Sequence, residues 1–253
     1  MIDLSHQTAL ITGASRGIGA AAAHHLAACG ANVVLCARDQ QGLDREVARI
    51  KDNGGNALGV SCDVTSYEAL SGTVKRCVDT FGSLDILVNN AGIIEPIARL
   101  ADSSPEHWSQ VIDVNVKGVY YATHAVLPTM LAQGRGSIVN ISSGAATHAL
   151  EGWSHYCASK AAVLSLTQCT HAEYGDAGVR VLGLSPGTVA TDMQVAIKAS
   201  GINPVSELDP SVHRSPESVA KAIAWLCTAE SDHWRGQDFS LRSEEGIRIA
   251  GQV

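Results

Sequence analysis

Basic residues are in deficit in this sequence: 18 lysines and arginines stand against 25 aspartates and glutamates, a formal charge of −7. Nucleic acid and anionic membrane are therefore not expected as partners. No apolar stretch is long enough to span a bilayer. Met1 to His6 lead into a strand pattern with no basic segment followed by an apolar one, so a cytoplasmic chain is expected. The seven cysteines (Cys29, Cys36, Cys62, Cys77, Cys157, Cys169 and Cys227) are odd in number and none is spaced C-x-x-C. Neither a disulfide framework nor a thiolate zinc site is indicated. The ten histidines contain no H-E-x-x-H, and His24 and His25 are neighbours on a predicted helix, where adjacent side chains diverge. No metal is expected, and the thiols read as small core residues. Internal repeats, low-complexity runs and Pro/Gly-rich linkers are also missing, so residues 1–253 are expected to form one domain.

What is present is a core-forming composition, 45% hydrophobic and 17% charged. Short apolar runs alternate with helical patterns along the whole chain. Strands are predicted at Thr8–Thr12, Asn32–Ala37, Asn56–Cys62, Asp85–Asn89, Ser137–Ser142 and Val179–Ser185. Helices are predicted at about Ile18–Cys29, Gln41–Asn53, Ser66–Phe81, Pro105–Gln133 (bent near Asn115 to Gly118), Ser154–Tyr174 and Ser215–Ala229. Strands apolar throughout and separated by helices imply a parallel sheet covered on both faces. With right-handed crossovers this is an α/β fold, a doubly wound, Rossmann-like three-layer sandwich.

Three groups of residues point to chemistry. After the first strand the chain reads Thr12-Gly13-Ala14-Ser15-Arg16-Gly17-Ile18-Gly19 and then opens a helix. Glycines let the backbone approach a pyrophosphate there, and the helix-start N–H groups bind its charge. Tyr156 and Lys160 lie four residues apart on one helix face. A cation beside a phenol favours phenolate and brings a group of reference pKa ~10 toward usefulness at neutral pH. Ser143 falls at the C-terminal end of the fifth strand, the edge where open parallel sheets bind ligands.

Thr12 to Gly19, Asn89-Asn90-Ala91-Gly92, Asn115, Ser143, Tyr156/Lys160 and Pro186-Gly187 together resemble the ordered signature of the short-chain dehydrogenase/reductase family. The resemblance implies a catalytic tetrad of Asn115, Ser143, Tyr156 and Lys160. Tyr156 would give or take the proton, and Ser143 would bind the substrate oxygen. Lys160 would hold the nicotinamide ribose and lower the tyrosine pKa, and Asn115 would help support a relay water. It also implies cofactor contacts from Gly13, Ser15, Arg16, Gly17, Ile18 and Gly19 in the turn. Asp63 and Val64 would meet the adenine, Asn90, Ala91 and Gly92 would line its path, and Pro186, Gly187, Val189 and Thr191 would anchor the carboxamide. The implied reaction interconverts a ketone and a secondary alcohol, on a small molecule such as a 3-oxoacyl thioester or a bulky dicarbonyl. A regulatory protein that binds the cofactor without turnover is the alternative. Where many members end in Asp-Gly-Gly, this chain reads Arg235-Gly236-Gln237-Asp238-Phe239-Ser240-Leu241-Arg242.

NADP(H) is expected over NAD(H). Ala37 stands where an acidic residue would bind the ribose 2′-hydroxyl, and Arg38 and Arg16 could converge on a 2′-phosphate. Residues 190–214 carry breakers at Gly201, Pro204 and Pro210 and are expected to form a substrate lid, with Thr191 capping its helix and Met193, Val195, Ile197, Ile202, Val205 and Leu208 as apolar cover. The resemblance further implies a homotetramer of D2 symmetry, with Val119, Tyr120 and Val126 between subunits.

Overall fold

A computed structural model describes residues 2–251. In β1 (Thr8–Thr12), Ala9 and Ile11 face one layer and Leu10 the other, as the two-residue strand period requires. The same division holds in β2 (Asn32–Ala37), where Val33 and Leu35 oppose Val34 and Cys36. Strands apolar on both faces need cover on both faces. One layer comes from α1 (Gly17–Ala28), α2 (Gln40–Asp52) and α8 (Pro216–Leu226), the other from α3 (Tyr67–Phe81) and α5 (Gly118–Gln133). Ala22, Ala23 and Leu26 of α1 share one buried cluster with Val219 and Ile223 of α8, and the alanines let the two helices approach closely. Each fully buried leucine or isoleucine here, such as Leu10 or Ile11, contributes roughly 1.5–3 kcal/mol.

The sheet has seven parallel strands in the order β3-β2-β1-β4-β5-β6-β7. The remaining strands are β3 (Ala57–Ser61), β4 (Ile86–Asn89), β5 (Gly136–Ile141), β6 (Val179–Ser185) and β7 (Asp238–Ser240). Leu10 pairs with Val34 on one side and Leu87 on the other, so the strand order turns around at β1 and β4. The crevice beyond the C-terminal ends of these strands is where such sheets bind ligands. Helices start where short polar side chains cap them: Ser66, Ser104 and Ser215 accept from the N–H groups of Ala69, His107 and Ser218.

The expected bend in the long helix is a π-helical turn, Asp113–Lys117, between α4 (Pro105–Ile112) and α5. Residues of α5 expected between subunits are placed otherwise: Val119 is 6% and Val126 0% exposed within one chain, and only Tyr120, at 49%, reaches the surface. On a helix apolar nearly all round, the stripe facing the sheet cannot be told by pattern from one facing a partner. A buried polar ladder fixes α6 (Ser154–Tyr174) over the sheet. Asn89 donates to Asn140 (2.8 Å) and Thr123 (3.2 Å), and Asn140 donates to Thr167 of α6 (2.9 Å). No helix among the described residues is long and apolar enough to cross a membrane.

Candidate active site

The turn after β1 is built to let an anion approach its backbone. Gly13 and Gly17 have φ of +65° and +57°, a region that disfavours side chains. A Cβ on Gly13 would stand 2.9 Å from the Ala91 Cα, and one on Gly19 would run into the Gly13 carbonyl oxygen. The loop after β4 clamps this turn: Asn90 Nδ2 donates to the Thr12 and Gly13 carbonyls at 2.9 and 3.1 Å. Thr12 Oγ1 in turn accepts from the Asn90 and Ala91 N–H groups at 3.0 and 3.1 Å. Arg16 is the N-cap residue of α1, and no side chain caps that helix. Its first-turn N–H groups, at Gly17 and Ile18 on the cleft wall, are therefore left for an anion.

At the outer end of the cleft lie Arg38, Asp63 and Val64. Arg38 is exposed, and its acidic neighbour Asp39 caps α2 by accepting from the Gly42 N–H at 3.0 Å. Asp63 accepts from the Thr65 N–H and hydroxyl, both at 2.9 Å, which fixes the turn ahead of α3.

At the inner end, α6 presents Tyr156 and Lys160 one turn apart, with the Lys160 Nζ 5.5 Å from the centre of the Tyr156 ring. Burial pushes the Tyr156 phenol up to about 12, opposed by a hydrogen bond with Ser143. The phenol is thus protonated at neutral pH, and the expected lowering by Lys160 is not what the structure gives, because burial dominates. Burial lowers Lys160 to about 8, opposed by the negative charge of Asp238. Its ammonium donates to the Ile141 carbonyl at 2.7 Å, at the end of β5. Ser143 begins a 3₁₀ turn (Gly144–Ala146) and accepts from the Ala145 N–H at 3.1 Å. Asn115 sits in the π-turn behind this group. Its amide donates to Ile93 O (2.9 Å) and Ser159 Oγ (3.0 Å) and accepts from Ile93 N (2.8 Å). Ser159 then donates to the Tyr156 carbonyl at 2.7 Å, so Asn115 braces the helix that carries the tyrosine.

Beside Tyr156 the cleft wall is apolar. Ile94, Ala145, Trp153, Tyr156 and Ile197 form a buried cluster with Met193 and Val205 against it. Trp153 meets Tyr156 edge to face at 5.6 Å, and its indole N–H is buried without a partner. Met193 and Ile197 come from α7 (Asp192–Ser200), and Val205 from a 3₁₀ turn, Pro204–Glu207. Val195, expected to cover substrate, points to solvent at 70% exposure. Thr191, expected as the cap of α7, instead turns its hydroxyl to the Val189 carbonyl at 3.3 Å. The segment is pinned at its base, where Val189 bridges Arg214 and the N–H groups of Ala190 and Arg214 bond to the Arg214 and Thr188 carbonyls, each at 2.9 Å.

All these walls belong to one cleft of about 1600 Å³. Gly13, Ser15, Arg16, Gly17 and Ile18 line it together with Asn90, Ala91 and Gly92. So do Ser143, Tyr156 and Lys160, and Pro186, Gly187, Val189 and Thr191. Gly19 and Asn115 lie behind its surface, one in helix packing and one in bracing. The fit to a dinucleotide rests on the uncapped α1 start and the glycines that a Cβ would block. The sequence reading missed Ser142, Ser185 and Asp238, a hydrogen-bonded trio at the inner end. Two small hydroxyls at adjacent strand ends were the signal available for it.

The family model described as short chain dehydrogenase matches residues 7–200. The chain is 38% identical over 244 residues to a 3-oxoacyl-[acyl-carrier-protein] reductase of Synechocystis sp., covering 95% of this chain and 97% of that one. Its fold superposes on NAD⁺-bound xylitol dehydrogenase with a TM-score of 0.87 at 27% identity, covering 93% and 97% of the two chains. A gluconate 5-dehydrogenase from Burkholderia cenocepacia, in complex with NADP and tartrate, gives 0.86 at 31% identity and 94% coverage of each chain. One cleft that joins a glycine turn to a Ser-Tyr-Lys group, on a sheet of this order and with relatives along nearly its whole length, makes the chain a member of the short-chain dehydrogenase family of oxidoreductases.

Proposed function

We propose that this chain interconverts a ketone and a secondary alcohol with NADP(H), using Tyr156 as general acid and base. The observation that carries this reading is the convergence of Ser143, Tyr156 and Lys160 in the cleft whose other wall is the glycine turn. The bound dinucleotide would supply or accept the hydride at its nicotinamide. In the reducing direction Ser143 donates a hydrogen bond to the carbonyl oxygen, and Tyr156 transfers its phenolic proton to that oxygen as the carbonyl carbon becomes C–H. The phenolate left behind is stabilised by the Lys160 ammonium. In the oxidising direction the phenolate takes the alcohol proton.

Arg38, with its neighbour Asp39 engaged at the start of α2, favours a 2′-phosphate over a free 2′-hydroxyl, and Arg16, which pairs with Asp192 at 3.2 Å in this structure, is a second cation of the cleft lining. Relatives of both cofactor types exist, so the preference rests on these residues. The apolar cluster around Trp153 and Ile197 suits a bulky carbonyl compound, such as a 3-oxoacyl thioester or a dicarbonyl. The test is to mix purified protein with NADPH or NADH and a panel of ketones, following loss of reduced-nicotinamide absorbance. Consumption with the bulky ketones, faster with NADPH, is the expected result. Binding of NADPH with no consumption across the panel would favour a non-catalytic, regulatory protein instead.

A further inference from the structure

We propose that Asp238 is a positioning residue of this site: its carboxylate ties the ends of β5 and β6 together and places a half-buried negative charge near Lys160. The inference rests on reading Tyr156 and Lys160 as the pair that handles the proton. Asp238 Oδ2 accepts from the Ser185 hydroxyl at 2.6 Å and the Ser142 hydroxyl at 3.2 Å. Ser142 stands between Ile141, whose carbonyl receives the Lys160 ammonium at 2.7 Å, and Ser143. One carboxylate therefore grips the peptide segment that anchors the lysine on one side and presents the serine on the other.

Two features of the chain make room for this group. Asp238 pairs in register with Gly183, and a Cβ on Gly183 would stand 2.8 Å from the Asp238 Oδ1. Any larger residue at position 183 would displace the carboxylate. Oδ1 itself is buried and has no hydrogen-bond partner. A carboxylate with one buried, unsatisfied oxygen is costly, which raises the Asp238 pKa, and the Lys160 charge offsets part of that cost. The two form no direct ion pair; both line the cleft, and each charge favours the ionised form of the other. Other groups around them are few. Tyr156 and Cys157 lie on the same helix, and the ends of β5 and β6 present the neutral hydroxyls of Ser142, Ser143 and Ser185. Arg242, just beyond β7, lies against Gly187 with Arg214 beside it.

The decisive measurement is an NMR titration of ¹³Cε-labelled lysine in the cofactor-free protein, with the Lys160 signal identified by its loss in Lys160→Met. Asp238→Asn keeps the shape and an accepting oxygen but removes the charge, and Asp238→Thr is a second uncharged form should the first not fold. In either variant the Lys160 midpoint should fall by about one pH unit or more. The alkaline limb of ketone reduction should move down with it. A Lys160 midpoint unmoved in the folded variant would overturn the assignment, even if the melting temperature fell. A shifted midpoint in a chain that reduces no carbonyl compound would sustain the inference and sink the proposed activity, so the two readings fail separately.

Discussion

Replacing Lys160 with methionine should change how stability depends on pH, in a direction fixed by the burial of its ammonium. The lysine falls from an ordinary 10.5 in the unfolded chain to about 8 in the folded one, chiefly through burial. A lowered lysine pKa means that the unfolded chain holds the proton more tightly. The group therefore destabilises the fold fully below about 8, and the penalty is relieved as pH rises toward 10.5. Linkage makes the penalty about 3 kcal/mol at neutral pH and about 1 kcal/mol near pH 9.5. Wild type should thus gain about 2 kcal/mol on Lys160→Met over that range. The lost hydrogen bond to Ile141 and the altered packing shift the variant by an offset that hardly depends on pH, so the slope is the observable and the offset is not. Urea unfolding of both proteins at half-unit steps between neutral pH and about pH 9.5 measures it. Parallel stability curves would refute the reasoning, because a lysine that titrates alike in both states contributes no slope.

Tyr156→Phe keeps the ring against Trp153 and should lower turnover by roughly 10²–10⁴-fold with NADPH affinity nearly unchanged, read by steady-state rates and fluorescence titration. Arg38→Ala should cut kcat/KM with NADPH by about tenfold or more, the worth of a lost charge-assisted hydrogen bond, and leave NADH little affected; equal losses with both cofactors would remove Arg38 from the 2′-phosphate. Hydrogen exchange across residues 190–214 should slow when NADPH and a substrate analogue are both bound. The Arg16–Asp192 ion pair that links α7 to the glycine turn at 3.2 Å is largely exposed and too weak to hold the segment closed by itself. Light scattering at micromolar concentration should give a particle of four chains, and Tyr120→Asp should shift it to smaller species; a monomeric wild type would refute the tetramer.

Much of the fold was legible because its strands are buried on both faces. The bounds of β1, β2, β6 and α6 fall where the apolar runs and the Ser154 start put them. What could not be read is short or depends on distant partners. β7 has three residues, one of them an aspartate, and α9 (Glu244–Ile249) has six, too few for any period to show. The role of Asp238 depends on Gly183 and two serines more than fifty residues away, which no local pattern signals. Val119 and Val126 were misplaced for a related reason: sequence shows that a stripe is apolar and leaves open what it packs against. The glycine turn, Ser143, Tyr156 and Lys160 were legible because each is tied to a strand or helix end, and the strand order brings those ends to one edge.

The π-turn at Asp113–Lys117 acts as a phase shift between two helices that answer to different masters. α5 is keyed to the sheet by Ala122, Val126 and Met130, while α4 and the turn are keyed to the cleft side by Asn115 and by the Trp108 bond to Ser154 at 3.1 Å. One surplus residue lets both keys fit at once. Deleting Val116 would restore an uninterrupted α-helix, and with α5 held by the sheet everything upstream would swing by about 100° and advance about 1.5 Å. Asn115 would leave Ile93 and Ser159, and Trp108 would leave α6. The helix would gain regularity as the brace behind Tyr156 came undone, so the local irregularity is what keeps core packing and the placement of Tyr156 in step.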